Sequence, residues 1–122
     1  MNDTQSARER VWINMSELFL DTDISDELDY IASALAASPF DEAELDRILL
    51  EEVYPVCIPN LHSIAGIWSG FDEAELVAAI TRRNARNFPL LWLWMPFRRR
   101  HMRRMLPEWE EIRDKIAAIR AG

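Results

Sequence analysis

The sequence predicts an all-α fold, a single small domain over residues 1–122 with about five to six amphipathic helices in an irregular bundle. Three observations predict it. Apolar residues recur at helical spacing through most of the chain, and the hexapeptide FDEAEL supplies helix-starting chemistry twice, at Phe40–Leu45 and Phe71–Leu76. Strict apolar–polar alternation is absent apart from the short LWLWM run, so no β-strand pattern competes.

Val11, Trp12, Met15, Leu18 and Phe19 fall at i, i+1, i+4, i+7 and i+8, one face of a first helix that ends near LFLDTD. A second helix follows, with Ile24, Leu28, Ile31 and Leu35 at i, i+4, i+7 and i+11. Ser25 is its expected N-cap, Asp26 and Glu27 suit the positive end of the helix dipole, and Pro39 lies beyond its end. Its other face is acidic.

The third helix starts at the first FDEAEL. With Asp41 as N-cap, Glu44 stands at N3 of a capping box, and Phe40 at N′ is set to pack on Leu45 at N4 as a hydrophobic staple. Phe71, Asp72, Glu75 and Leu76 repeat the arrangement. Beyond the boxes the segments diverge: Glu51 and Glu52 correspond to Arg82 and Arg83, so the apolar faces agree while the exposed charges invert. FDEAEL is therefore read as helix initiation used twice and not as a structural repeat, since solenoids need three or more copies.

Between the two helices, PVCIPNLHSIAGIWSG carries two prolines, two glycines and Asn60, and is expected to form turns with one helical turn around Leu61–Ala65. The C-terminal third is expected as an apolar segment through Trp92, Trp94 and Met95, then a basic helix RRRHMRR, then a last helix. Pro107 suits N1 of that last helix, and Trp109, Ile112, Ile116 and Ile119 line one face. Residues 88–122 are read as a basic, Trp-rich extension packing on or beside the rest.

Composition bounds the function. At 122 residues and 49% hydrophobic, the chain suits one modest core. No secretory leader is visible, and the single cysteine, Cys57, excludes an internal disulfide and fits a reducing compartment, so a cytoplasmic location is expected. The longest apolar stretch, Phe88–Phe97, contains two prolines and falls short of the roughly 18 residues of a spanning helix. The net charge of −7 hides an asymmetry: residues 1–77 hold 17 acids and 3 bases, residues 78–122 hold 4 acids and 11 bases. Such a split usually reports on partners or assembly.

The segments WINMSELFLDTDI, IASALAASPFDEAELDRILLEEVYPV and PNLHSIAGIWSGFDEAELVAAI, with the Trp/Pro/Arg-rich tail, resemble a group of small bacterial proteins known as a domain of unknown function, DUF7079. The likeness runs from about Val11 onward, and its most specific pieces are LFLDT, the EEV-x-P segment leading to PNL, and AG-x-W-x-GF. It implies an all-helical fold and brings no activity, cofactor or catalytic residue.

The residues themselves offer little catalytic equipment. Cys57 and His62 form no convincing dyad, because the thiol sits in an apolar VCI context without an activating cation. No H-E-x-x-H, paired cysteines or E-x-x-H are present, so no metal or other cofactor is expected. An enzyme would need Asn60, His62, Ser63 and Trp68 to line a pocket. The favoured reading is a non-enzymatic protein with an acidic helical surface that binds a cationic protein partner. An immunity or antitoxin protein covering a basic bacterial toxin is its most concrete form. The partner-binding candidates are Asp21, Asp23, Asp26 and Glu27 around the first turn, and Asp46, Glu51 and Glu52 on the third helix. The alternative is a membrane-surface or anionic-ligand site at Trp92, Trp94, Arg98, Arg99, Arg100, Arg103 and Arg104. Nucleic acid is disfavoured by the acidic total, and the two-signed charge is compatible with a homodimer.

Overall fold

The structure is a computed structural model, and it describes residues 3–20, 25–61, 72–84 and 91–122, with the side chains of residues 25, 59–61 and 91–96 outside that description. Its first helix, α1, runs Asp3–Ser16 and buries Val11, Trp12 and Met15. The same stripe continues through a 3₁₀ turn at Glu17–Phe19, which buries Leu18 and Phe19. Tightening from α to 3₁₀ geometry ends the helix, and Leu20 then leaves it in extended conformation. A second 3₁₀ turn, Ser25–Glu27, leads into α2, Leu28–Ala36, whose Leu28, Ile31 and Leu35 are buried as their spacing predicts. The N-cap of α2 falls on Glu27, not Ser25, because the 3₁₀ turn takes up the first turn. Ile24 lies outside the described residues.

Helix α3, Glu42–Ile48, begins at the cap the sequence marks: Asp41 is extended and its Oδ1 accepts from the Glu44 N–H at 2.7 Å. Phe40 and Leu45 are both buried in the core, as a staple requires. Helix α5, Glu73–Asn84, starts the same way, with Asp72 Oδ1 accepting from the Glu75 N–H at 2.9 Å, while Phe71 lies outside the described residues. The returning half of the first box is diverted: the Glu44 carboxylate is taken by Arg8 and Arg47.

The expectation of turns needs correcting for Pro55–Leu61, while the rest of that stretch, residues 62–70, lies outside the described residues. A π-helical segment, Leu49–Val53, continues α3 directly into α4, Tyr54–Leu61, so a helical path runs through Pro55 and Pro59. Proline removes a backbone donor, and in an α-helix its ring strikes the carbonyl four residues back. The π turn widens the helix at that point, with the Tyr54 N–H reaching Leu49 O. The carbonyl that Pro55 leaves without its α-helical donor is that of Glu51, and Arg83 Nη1 of α5 donates to it at 3.1 Å. Leu49, Leu50 and Val53 of the widened turn are completely buried, which anchors it in the core.

Helix α6, Leu91–Met105, unites the apolar segment and the basic RRRHMRR run in one element, where the sequence suggests two. Helix α7, Glu108–Ala121, follows a single turn; Pro107 stands at its N-cap, one position before the expected N1, with dihedrals already helical. Trp109, Ile112 and Ile116 are buried, but Ile119 is 47% exposed and leaves the predicted face. The side chain that returns to the body there is Arg120. Among the described residues there is no β-strand, and no helix is long and apolar enough to cross a membrane.

One core cluster draws on α1, α2, α3, the π turn, α4, α5, α6 and α7. Helix α7 lies along α2, and the end of that pairing is polar: Arg120 donates to the carbonyls of Leu35 at 3.3 Å, Ala36 at 3.2 Å, Ser38 at 3.3 Å and Phe40 at 2.6 Å. These carbonyls belong to the C-terminal end of α2 and the chain leaving it; the Leu35 carbonyl also accepts from the Ser38 N–H and hydroxyl, and the cation meets the negative end of the dipole. Arg120→Met should therefore lower stability by about 1–2 kcal/mol in urea unfolding, although the residue is exposed. A change within the noise of an ordinary surface substitution would show that water replaces the guanidinium at no cost.

Candidate functional site

The acids of α3 and the π turn, predicted as partner contacts, are engaged within the chain. Asp46 accepts from Arg99 Nη1 of α6 at 2.9 Å and from Trp109 Nε1 of α7 at 3.0 Å, with Arg113 at 4.0 Å. Glu52 accepts from Arg8 Nε at 2.9 Å, from Arg8 Nη2, and from Trp12 Nε1 at 2.8 Å. Its side chain is only 12% exposed. Glu51 is the freest of the three, 40% exposed and 3.7 Å from Arg47. Lys115 of α7 donates to Asp29 of α2 at 2.6 Å. The basic C-terminal part thus meets the acidic N-terminal part at Asp46 and Asp29, while Glu44, Glu51 and Glu52 pair with the N-terminal arginines Arg8 and Arg47.

Another group of acids has no cation within ion-pairing distance among the described residues. Asp26 and Glu27 are exposed on the 3₁₀ turn before α2. Glu17, on the 3₁₀ turn after α1, is partly buried nearby. Burial, together with the charges of Glu27 and of Glu73 at the start of α5, raises its carboxyl above the ordinary glutamate range. Three elements therefore bring like charges together at one place. Asp21 and Asp23, between these turns in sequence, lie outside the described residues. The sequence reading missed Glu17 and Glu73, which join the group only through the packing of α5 on α1; the one available signal was their position beside apolar runs that had to converge.

Helix α6 carries the other predicted surface. Arg98 is half-buried, whereas Arg99, Arg100, Arg103 and Arg104 are exposed, Arg99 being held by Asp46. Phe97 is 65% exposed and shares a face with Arg100 and Arg104 at i, i+3 and i+7. The side chains of Trp92 and Trp94 fall outside the described residues.

Cys57 is packed in the core and 1% exposed, and burial pushes its thiol up to about 12, so it is overwhelmingly protonated at neutral pH. Asn60 is on α4 without a described side chain, and His62, Ser63 and Trp68 lie outside the described residues, so the pocket an enzyme would need there falls outside them as well. Among the described residues no three His, Cys, Asp or Glu side chains are placed to hold a metal.

The profile of a family described as a domain of unknown function, DUF7079, matches residues 6–115. No curated protein and no solved structure matches the chain. With nearly its whole length covered, the chain belongs to the DUF7079 family.

Proposed function

We propose that this DUF7079 protein is a non-enzymatic interaction protein that receives a cationic protein partner on the face formed by Glu17, Asp26, Glu27 and Glu73. The observation that carries this reading is the crowding of carboxylates around Glu17, which among the described residues have no cation within ion-pairing distance, whereas Glu52 and Asp46 are held by arginines. Like charges held close cost stability in the isolated protein, and a lysine- or arginine-rich surface docking there would remove that cost while the field steers its approach. An immunity or antitoxin role toward a basic toxin is the most concrete form of the proposal, in the cytoplasm where such a partner would be made. Asp46 and Glu52 leave the list of contacts because their carboxylates are occupied; Asp26 and Glu27 remain on it.

The direct test is affinity for partners captured with purified protein, compared between the wild type and an Asp26→Lys/Glu27→Lys/Glu73→Lys variant. A cationic protein should be retained by the wild type in a salt-sensitive manner and lost by the variant. Identical capture by both, or turnover of a compound by the purified protein, would overturn the reading.

The crowding also predicts a pH effect. Because the folded-state carboxyl of Glu17 lies above its unfolded value, the folded chain holds that proton more tightly. The penalty is absent below the unfolded value, grows as pH rises through the folded one, and is fully present at neutral pH. Glu17→Gln should therefore raise the melting temperature at neutral pH and leave it unchanged near pH 4. Equal melting curves at neutral pH would mean the carboxylates do not repel.

A second reading is favoured by the exposed Phe97 beside Arg100 and Arg104, which suits an anionic membrane surface. Co-sedimentation with anionic liposomes, lost in Phe97→Ala with Arg100→Glu, would support it.

A further inference from the structure

Two partly buried arginines, Arg83 and Arg98, also lack acidic partners among the described residues. Arg83 of α5 reaches the π turn and donates to Glu51 O at 3.1 Å. Tyr54, the first residue after that turn, is hydrogen-bonded to His101 Nδ1 of α6, and their rings meet edge to face at 5.7 Å. Arg98 stands one helical turn before His101 and so projects over the same turn from the same helix. Its Nη1 is shielded from solvent and has no hydrogen-bond partner among the described residues. Among the described residues neither Arg83 nor Arg98 has a carboxylate within ion-pairing distance. The Glu51 carboxylate lies 3.7 Å from Arg47, and only its carbonyl serves Arg83.

A buried donor without an acceptor costs free energy, and more when it is part of a charged group. Such orphaned groups are rare in native proteins and often mark an ion. Burial and the charge of Arg98 hold the Arg83 guanidinium below its ordinary value, and Arg98 also acts on Tyr54. The two cations are therefore close enough to feel each other.

We propose that the junction of the π turn with α4, around Glu51 and Tyr54 and flanked by Arg83 and Arg98, is the binding site of a small tetrahedral oxyanion of the phosphate type. Two guanidinium groups supply forked donors that match phosphate oxygens, the orphaned Nη1 of Arg98 gains its acceptor, and the repulsion between the two cations is screened. The half-buried setting favours a soluble anion over a lipid headgroup. Nothing in this inference depends on the acidic face, so either can fail alone.

The test is a thermal-shift and calorimetric titration of the full chain with inorganic phosphate against sodium chloride at matched ionic strength. Phosphate should raise the melting temperature of the wild type and bind saturably. Arg83→Gln and Arg98→Gln should each weaken binding by about tenfold or more, the loss expected for one charge-assisted contact. Arg10→Gln, exposed on α1 and outside every surface proposed above, should bind like the wild type and serves as the control. If either glutamine variant fails to fold, by circular dichroism, Arg98→Lys replaces it: charge is kept, the fork is lost, and binding should still weaken. No difference between phosphate and chloride, binding unchanged in the arginine variants, or binding seen only with phosphatidate vesicles would overturn the assignment.

Discussion

Ile31→Ala and Leu45→Ala should each lower the unfolding free energy by about 2–5 kcal/mol, whereas Asp41→Ala should cost about 1. Ile31 is fully buried on α2 and Leu45 is 1% exposed on α3, so truncation removes transfer free energy and leaves a cavity that a close-packed interior closes only in part. Asp41 sits at the surface and contributes one hydrogen bond, to the Glu44 N–H, plus a favourable placement at the positive end of the dipole. Urea unfolding checks the ranking through the midpoint at constant slope. Similar losses at all three positions would mean that the faces of α2 and α3 are wrongly assigned, since a cap and a core leucine stabilise by different mechanisms.

Local chemistry made that much of the fold readable. The α1 and α2 stripes and the two aspartate caps depend on residues within one or two turns of each other, which is the range over which a sequence displays its own geometry. Pro55 shows where such reading fails. It reads as a helix breaker, and the helix survives because the π turn makes room and Arg83, 32 residues from Glu51, donates to the Glu51 carbonyl in place of the missing N–H. Long separation in sequence likewise hid Arg120, 80 or more residues from the carbonyls it meets at the end of α2, and Trp109 as a partner of Asp46, 63 residues away. Of the candidate site, Asp26 and Glu27 were legible as a local run of exposed acids. Glu17 and Glu73 were not, because only tertiary packing brings them beside it. Charge counted along the chain gave the correct sign of the asymmetry but could not divide acids consumed inside the fold from those left facing outward.

Glu52 is where that division has the largest energetic consequence. Glu52→Ala should destabilise by about 2–4 kcal/mol, toward the cost of breaking a buried ion pair and reduced because Arg8 retains 24% exposure. The substitution strands two groups at once: the Arg8 guanidinium, which also lies over the Phe40 ring at 5.5 Å and reaches Glu44, and the indole N–H of Trp12, a residue only 2% exposed. Trp12→Phe removes the indole donor alone and should cost about 1 kcal/mol, the net value of one hydrogen bond with some loss of packing. Glu51→Ala, one residue earlier but exposed and loosely paired with Arg47, should stay within about 0.5 kcal/mol. The decisive comparison is the double variant Arg8→Met/Glu52→Leu: replacing both partners by apolar side chains removes the stranded charge, so it should recover much of the loss seen in either single variant. If Glu52→Ala costs no more than Glu51→Ala, the contact between α1 and the π turn is a surface pair and Glu52 returns to the acids available to a partner. If the double variant recovers stability, loss of partner binding on charge reversal at Glu52 would report unfolding, and the reversal of Asp26, Glu27 and Glu73 would remain the test of recognition.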